Sequence, residues 1–426
     1  MRAITGLFVL TALLGLTGAK KDDDTPRIRW EHPWVAERLF DYGHSSWRPM
    51  KDSEFSALYR TNDLLIQHLP DGSRTRRWEF ELVVNDPSRM PAFFRIADTA
   101  GVTETEVTDF DVRWISNGVT RVFDESELFK KSQSSSSSYI SDRAGLSLNL
   151  DRRRPGTLKG VVQTIDSPHA GFEGLIAGHE FLQGGAASKS RTITVEVPKG
   201  TQLQFETRFF TPSEMPEKEE VGEFDRYRFD FETLLSGRWE KDMPHAFDSY
   251  PSLWWSNQAS WEDLAALLDT VWEPELEANE AMVAYAEELT AGLEQSADKA
   301  LAIHDAVADG WDYLGFYPGE SGWIPHPATQ CFVDRIGDCK DKTALMIAMM
   351  RAVGLDAHPT LVNARNAFVL SSAPQPYFNH AIVRVDDPGH PEGGFFLDST
   401  DAGIGAMPVP AWIADRPALV IDDVAG

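Results

Sequence analysis

Cysteine is nearly absent from this sequence, because its 426 residues include only Cys331 and Cys339. A small number of cysteines in a chain of this length excludes a disulfide scaffold. The two cysteines lie eight residues apart, so a local disulfide between them stays an alternative in an oxidising compartment. Such a bridge would silence Cys339 or make its reactivity depend on the redox state.

Long apolar runs are missing as well. The apolar run at residues 7–16 is too short for a membrane span, which needs ~20 residues. It follows Arg2 and precedes the small residues Thr17-Gly18-Ala19, a pattern typical of a signal peptide. We expect residues 1–19 to be cleaved and the mature protein to be periplasmic or secreted, with no transmembrane span. An uncleaved N-terminal anchor is the alternative.

Basic residues are outnumbered by acidic ones. Lys and Arg total 40 against 66 Asp and Glu, which gives a formal net charge of −26. Nucleic acids are therefore excluded as partners, because phosphate contacts need clustered Lys and Arg. No phosphate-binding loop and no convincing metal cluster occur, so we expect no cofactor and no metal. His358 and His390 are interpreted as structural or solvated residues.

The sequence contains two regions of different periodicity. Residues 20–245 include short runs such as 192–197 that alternate polar and apolar residues, which predicts an antiparallel, β-sandwich-like domain. Residues 246–298 change to helical spacing and are interpreted as a helical linker region. Residues 299–426 form the predicted core, in which the Gly-, Pro- and aromatic-rich stretch 311–331 is predicted to be a loop. The predicted fold class is α+β, with several domains.

Cys339 lies at the predicted start of a helix, in the run GDCKDK at residues 337–342. Unpaired backbone N–H groups and the positive end of the helix dipole lie at such a start. They stabilise a thiolate and can also stabilise the oxyanion of a tetrahedral intermediate. A single helical cysteine is more often a small buried hydrophobe, but the flanking charges argue against a buried apolar site. Cys339 is therefore a candidate nucleophile.

A cysteine nucleophile needs a base and a group that orients this base. His380 opens a predicted strand, a turn-rich segment follows at residues 386–394, and the next strand ends at Asp398. If these strands pair as a hairpin, the two side chains fall ~5 Å apart on one face. Alone, His380 would be a surface residue at a strand end and Asp398 a strand cap. Together with Cys339 they predict a Cys–His–Asp triad.

The sequence around these residues resembles the transglutaminase-like superfamily. The runs that carry the resemblance are RIGDCKDKTALMIAMMRAVGLDAHPTLVN (335–363), FNHAIVRV (378–385) and FFLDST (395–400), the last in place of the usual LDPT. The chain is most similar to bacterial exported proteins in which an N-terminal β-rich domain of unknown function precedes a transglutaminase-like core. The resemblance implies a papain-like fold, with a Cys-bearing helix packed on an antiparallel sheet. It assigns the nucleophile to Cys339, the base to His380 and the orienting carboxylate to Asp398.

The resemblance also implies a reaction, which is acyl transfer at a protein or peptide amide through a thioester, as in a transglutaminase or a cysteine protease. A cell-envelope component is included among the expected partners. In related folds an aromatic residue before the cysteine assists the oxyanion hole, which makes Trp323 a candidate, with His326 in the same cleft; loop packing is the alternative for both. Two other functions stay open: a cell-wall amidase of the same fold, and a non-catalytic binding or scaffold protein with a relic core. The intact triad disfavours the relic.

Overall fold

The structure is a computed structural model. It describes residues 55–89, 93–98, 105–132, 139–141, 144–150, 154–167, 174–182, 184–209, 215–234, 248–317, 324–364, 370–400, 413–414 and 416–422. The expected signal peptide at residues 1–19 and the candidate Trp323 lie outside the described residues. No described helix combines the length and the apolar character needed to cross a membrane.

The described chain is rich in strands, with five helices in its C-terminal part. The helices are α1 (Trp261–Trp272), α2 (Glu280–Leu289), α3 (Ser296–Gly310), α4 (Ala328–Asp334) and α5 (Cys339–Ala352). The strands are β1 (Ala57–His68), β2 (Arg74–Val84), β3 (Phe93–Asp98), β4 (Thr105–Ser116), β5 (Val119–Phe123), β6 (Phe129–Ser132), β7 (Tyr139–Ser141), β8 (Ala144–Asn149), β9 (Gly156–Asp166), β10 (Ala177–Phe181), β11 (Ala187–Pro198), β12 (Gln204–Arg208), β13 (Glu219–Val221), β14 (Phe224–Leu234), β15 (Ser252–Ser256), β16 (Asp312–Tyr313), β17 (Gly315–Tyr317), β18 (Ile336–Gly337), β19 (Asp356–Val362), β20 (His380–Asp386), β21 (Gly394–Leu397) and β22 (Ala418–Val420).

The N-terminal part is built on an eight-stranded sheet with the order β13-β14-β11-β1-β2-β9-β4-β5. Neighbouring strands are antiparallel except β1 and β11, which run parallel. The prediction of an α+β protein with antiparallel sheets is therefore confirmed, and this parallel pair is the exception within the large sheet. A parallel pair needs a long crossover, and the chain between β1 and β11 supplies one.

Two three-stranded sheets, β3-β8-β6 and β10-β15-β12, cover the large sheet. The first packs Phe94 and Leu148 against Phe80, and the second packs Trp255 against Ile66. Trp78 of β2 contacts both hydrophobic clusters. Apolar side chains at every second position of the strands thus fill the space between two layers.

The C-terminal part packs all five helices and a four-stranded antiparallel sheet, β21-β20-β19-β22, around one hydrophobic cluster. This cluster runs from Leu264 to Ile421 along the chain. The C-terminal part also contains two short parallel strand pairs. In these, β16 pairs with β18, and β17 pairs with β7 of the N-terminal part. The domain borders at residues 245 and 298 stay predictions.

Helix α5 lies at the centre of the C-terminal cluster. It packs against α2, α3 and α4 on one side and against β19 and β20 on the other. Every residue from 339 to 350 is buried. Gly354 follows the helix with φ 80°, a conformation that favours glycine and ends the helix. A helix enclosed in this way is held by tertiary packing rather than by propensity.

We expect Gly337→Ala to lower the free energy of unfolding by about 1–3 kcal/mol. The added Cβ would lie 2.7 Å from Cβ of Asp341 and 3.0 Å from Sγ of Cys331, at the start of α5. Gly310→Ala is the matched control, since its Cβ would meet only Nη1 of Arg335, at 3.7 Å. Urea unfolding should show no loss for Gly310→Ala. Equal stability of Gly337→Ala and the wild type would contradict the tight packing.

Candidate active site

The start of α5 is closed by a reciprocal cap. The Asp338 carboxylate accepts hydrogen bonds from the backbone N–H of Lys340 (2.8 Å) and of Asp341 (3.2 Å). In return Oδ2 of Asp341 accepts from the backbone N–H of Asp338 (3.0 Å). This capping box defines the first turn, and Cys339 is the first helical residue, as the sequence predicts. The cap thus occupies the N–H groups of Lys340 and Asp341, two of those expected to stabilise an oxyanion.

The charged residues that flank Cys339 are buried together with it. Lys340 forms an ion pair with Asp338, and both side chains are almost fully enclosed. The Nζ of Lys342 donates to the backbone oxygen of Trp311 (2.9 Å). Burial lowers the pKa of Lys342. The site is therefore buried without being apolar, because each charged group finds a partner inside.

His380 and Asp398 meet on the sheet that α5 packs against. His380 opens β20, and Asp398 follows the last residue of β21. Val383 pairs with Leu397, so Asp398 lies diagonally across the hairpin from His380. The Nε2 of His380 and Oδ2 of Asp398 are 2.8 Å apart, and Asp398 has no exposed surface.

The thiol of Cys339 is a second hydrogen-bonding partner of the same imidazole. Burial alone would lower the pKa of His380, but hydrogen bonds to Asp398 and Cys339 outweigh it and raise the pKa to about 10. Because Nε2 faces Asp398, Nδ1 is the ring nitrogen left for Cys339. Only 2% of Cys339 is exposed. The three residues thus form one buried hydrogen-bonded set.

Asp398 is itself held in place by two neighbours. Its Oδ1 accepts hydrogen bonds from the backbone N–H (2.9 Å) and the hydroxyl (2.7 Å) of Thr400. Its backbone oxygen lies 2.8 Å from Nε2 of His304 in α3, which donates to it. Burial alone would raise the pKa of Asp398, but His380 and Thr400 hold it below its usual range. Asp398 is therefore a fixed anion that accepts from the imidazole.

His304 is a residue that sequence reasoning missed. It precedes Asp398 by more than ninety positions, and no local motif links the two residues. The signal in the sequence is its spacing from Ala300 and Val307, which places it on the buried face of α3.

Comparison with known proteins gives one family match. Residues 283–390 match the family model described as the transglutaminase-like superfamily. Residues 283–390 form a transglutaminase-like domain. The match includes Cys339 and His380, and Asp398 lies eight residues beyond its end. A search of curated proteins returns no match.

Of two similar solved structures, one supports the fold of this chain. A candidate protease from Parabacteroides distasonis is 15% identical, with 80% of this chain and 67% of that chain covered and a TM-score of 0.63. A candidate cysteine protease from Cytophaga hutchinsonii is 16% identical, with 58% and 79% covered and a TM-score of 0.26. The first likeness shows a shared fold, and the second is too low in TM-score to show one.

His326 lies beside Asp341, in the first turn of α5. Its backbone N–H and Nδ1 lie 2.8 Å and 3.1 Å from Oδ1 of Asp341. It lines a cavity of about 170 Å³ together with Cys331 and Gly337, and neither Cys339 nor His380 is among the lining residues. A role of His326 in the cleft stays a prediction, as does that of Trp323.

Cys331 is the second buried thiol of the transglutaminase-like domain. No disulfide joins it to Cys339. Burial, together with the nearby Asp341 carboxylate, raises the pKa of Cys331 to about 12. Cys331 is therefore a protonated thiol at neutral pH, and its carbonyl accepts from Nε1 of Trp311 (2.9 Å).

Among the residues that the structure describes, one group of three side chains has the donor atoms and spacing for a metal ion. The ligand atoms of Asp356, His358 and Asp386 lie within 4.8 Å of one another. Arg384 already donates to Asp386 at 2.7 Å and neutralises part of its charge. The group lies at the far end of the β19–β20 pair from His380, roughly 20 Å away for six residues of strand. None of Cys339, His380 and Asp398 belongs to this group.

We expect the imidazole of His380 to hold its proton until the pH approaches 10, because its pKa is raised to about 10. Cys339→Ala and Asp398→Asn each remove a hydrogen-bonding partner that raises this pKa, so each should lower the titration midpoint. Nitrogen chemical shifts of ¹⁵N-labelled histidine measure it by NMR, and His380→Gln assigns the signal. A wild-type midpoint near 6.5 would rule out the buried hydrogen-bonded set.

Proposed function

We propose that the protein is an exported, cysteine-dependent acyl-transfer enzyme that acts on protein or peptide amides. Cys339 is the nucleophile, His380 the acid–base group and Asp398 the orienting carboxylate. The observation that carries this proposal is the single imidazole hydrogen-bonded to both Cys339 and Asp398. A thiol, an imidazole and a carboxylate in this order are the components of nucleophilic amide cleavage.

The first half of the reaction forms a thioester. The thiolate of Cys339 attacks the amide carbonyl carbon, a C–S bond forms, and the carbonyl oxygen becomes an oxyanion. The protonated His380 then gives its Nδ1 proton to the amide nitrogen as the C–N bond breaks, so the amine leaves neutral. The high pKa of His380 supports this step, because the proton is in place at neutral pH.

The second half releases the acyl group. A water or an amine attacks the thioester carbonyl, and His380 accepts a proton from it while Cys339 leaves as a thiolate. Asp398 keeps the imidazole in one tautomer and stabilises its positive charge in both halves. The acceptor decides between a protease or peptidase, which uses water, and a transglutaminase, which uses an amine.

The oxyanion is proposed to form at the start of α5. The positive end of the helix dipole lies there and favours negative charge. Asp338 uses the N–H groups of Lys340 and Asp341, so these two do not serve the oxyanion. Trp323 is the side chain proposed to assist there.

We also propose a papain-like arrangement for this core. Helix α5, which begins at Cys339, packs against the antiparallel strands β19 and β20, and β20 begins at His380. A cell-wall amidase would use the same three residues on a different amide, and it is an outcome of the substrate tests below. A relic core is disfavoured, because a cysteine, a histidine and an aspartate all persist in contact.

Replacement of the nucleophile tests the proposal. With a Gln-containing peptide, a labelled primary amine and a peptidoglycan-derived peptide as substrates, we expect Cys339→Ala to reduce turnover by roughly 10³-fold or more. Cys331→Ala is the matched control and should keep near wild-type turnover, because its thiol stays protonated at neutral pH. Mass spectrometry should find the acyl adduct on the tryptic peptide 336–340, which contains Cys339 alone. Full turnover in Cys339→Ala would overturn the mechanism.

Export is part of the proposal and has its own test. The signal-peptide pattern of residues 1–19 supports it. We expect the mature protein to begin near Lys20 when it is recovered from the periplasm or medium of a Gram-negative host and its N-terminus is sequenced. Recovery in the cytoplasm with residues 1–19 retained would contradict export.

A further inference from the structure

The three-stranded sheet β10-β15-β12 has two faces that contact different parts of the molecule. Residues directly opposite one another across paired strands share a face. Phe205 and Trp255 form one such row and pack into the core of the eight-stranded sheet. His179, Trp254 and Glu206 form the neighbouring row, which therefore points the other way. This sheet thus contacts the large sheet with one face and leaves its second face for another segment.

The second face holds the segment that leads into the strand of His380. We call residues 370–378 the anchor segment. Oε2 of Glu206 accepts hydrogen bonds from the hydroxyls of Ser371 (2.8 Å) and Ser372 (2.9 Å), and also from the backbone N–H of Ser372. One carboxylate oxygen thus fixes two consecutive residues that lie more than 160 positions away along the chain.

Aromatic packing fixes the rest of the anchor segment. The ring of His179 stacks on Trp254 at 4.8 Å, and the edge of Tyr377 meets it at 5.3 Å. Gln375 lies 3.2 Å from Nδ1 of His179, and its amide donates to a backbone oxygen of β10. Ala373 is fully buried against Trp254. The anchor segment is therefore packed against the second face of this sheet.

The Glu206 carboxylate is held as an anion. Arg208 donates to its Oε1 at 2.6 Å and lies over the ring of Trp254 at 4.5 Å. Burial alone would raise the pKa of Glu206, but the hydrogen bonds from Arg208 and the serines hold it below its usual range. A charged acceptor makes stronger hydrogen bonds than a neutral one.

The end of the anchor segment is tied to the catalytic sheet. Nε1 of Trp261 donates to the backbone oxygen of Ser371 (3.0 Å), and the rings of Trp261 and Phe378 meet at 6.0 Å. The backbone N–H of Asn379 donates to Val362 of β19 (3.2 Å), immediately before His380. Contacts therefore hold the chain at both ends of the stretch between Ser372 and His380.

We propose that Glu206 is a positioning residue that acts through the anchor segment to hold His380 beside Cys339. The inference rests on the proposed function of the triad. It gives the β-rich part of the chain a role in the site, since Glu206 reaches no reacting atom and works only through the backbone of residues 370–380. A displacement of a catalytic group by about 1 Å lowers the reaction rate roughly 10²-fold, so the loss of these hydrogen bonds should be measurable.

Glu206→Ala tests the proposal, because it removes the acceptor of three hydrogen bonds from the anchor segment. We expect the NMR titration midpoint of His380 to fall by about one pH unit or more as its partners drift away. We expect kcat for the Gln-peptide to fall roughly tenfold to a hundredfold, with a smaller change in KM.

Glu196→Ala is the matched control. Glu196 is also buried and accepts from Gln67 and Arg226, but within the eight-stranded sheet. Glu196→Ala should also lower the free energy of unfolding, because it too removes a buried hydrogen-bond acceptor. It should leave the titration midpoint of His380 and kcat unchanged. The double variant Ser371→Ala, Ser372→Ala serves if Glu206→Ala does not fold, because it leaves Arg208 with its carboxylate. It should shift both readouts in the same direction, by a smaller factor.

The two readouts separate the inference from the function on which it rests. A wild-type protein without acyl transfer would sink the proposed function, whatever happens to His380. An unchanged His380 midpoint in folded Glu206→Ala, or an equal shift in Glu196→Ala, would overturn the positioning role. If the variant that folds shifts both the midpoint and kcat while the control shifts neither, the positioning role is supported.

Discussion

A carboxylate with no exposed surface must be paired inside the protein, and the pairing of Asp398 with His380 is the interaction on which the site depends. A buried carboxylate that loses its partners carries a penalty of several kcal/mol. Two elements pair the carboxylate: β20 supplies the imidazole, and the turn after β21 supplies Thr400. Helix α3 supplies His304, which donates to the backbone oxygen of Asp398. The pairing of β20 with β19 and the packing of α5 on both strands then place the thiol of Cys339 within hydrogen-bonding reach of the same imidazole.

The sequence predicted the parts of this site that local chemistry determines. The run at residues 337–342 predicted a helix start at Cys339, and Cys339 is the first residue of α5. The capping box between Asp338 and Asp341 was not predicted. The turn-rich stretch between His380 and Asp398 predicted the hairpin that brings them together. Both signals lie within a few residues of the groups that they place.

What the sequence did not predict depends on contacts between distant segments. The stretch 311–331 was predicted to be a loop, yet α4 begins at Ala328 within it and packs against α5. The parallel neighbours β1 and β11 are more than a hundred residues apart, so no local pattern could pair them. The burial of Lys342 was missed for the same reason, because its hydrogen-bonding partner is a backbone oxygen in another helix–strand connection. Tertiary context overrides local propensity in each case.

The contrast between the two cysteines has a consequence for oxidative damage. A thiol oxidised to a sulfenic acid is rescued when a nearby resolving thiolate attacks its sulfur to form a disulfide. Burial raises the pKa of Cys331 to about 12, so its thiol is almost fully protonated at pH 7. It is therefore a poor resolving cysteine for Cys339, although only eight residues separate them. In an oxidising compartment, Cys339 would depend on an external thiol for repair rather than on its own chain.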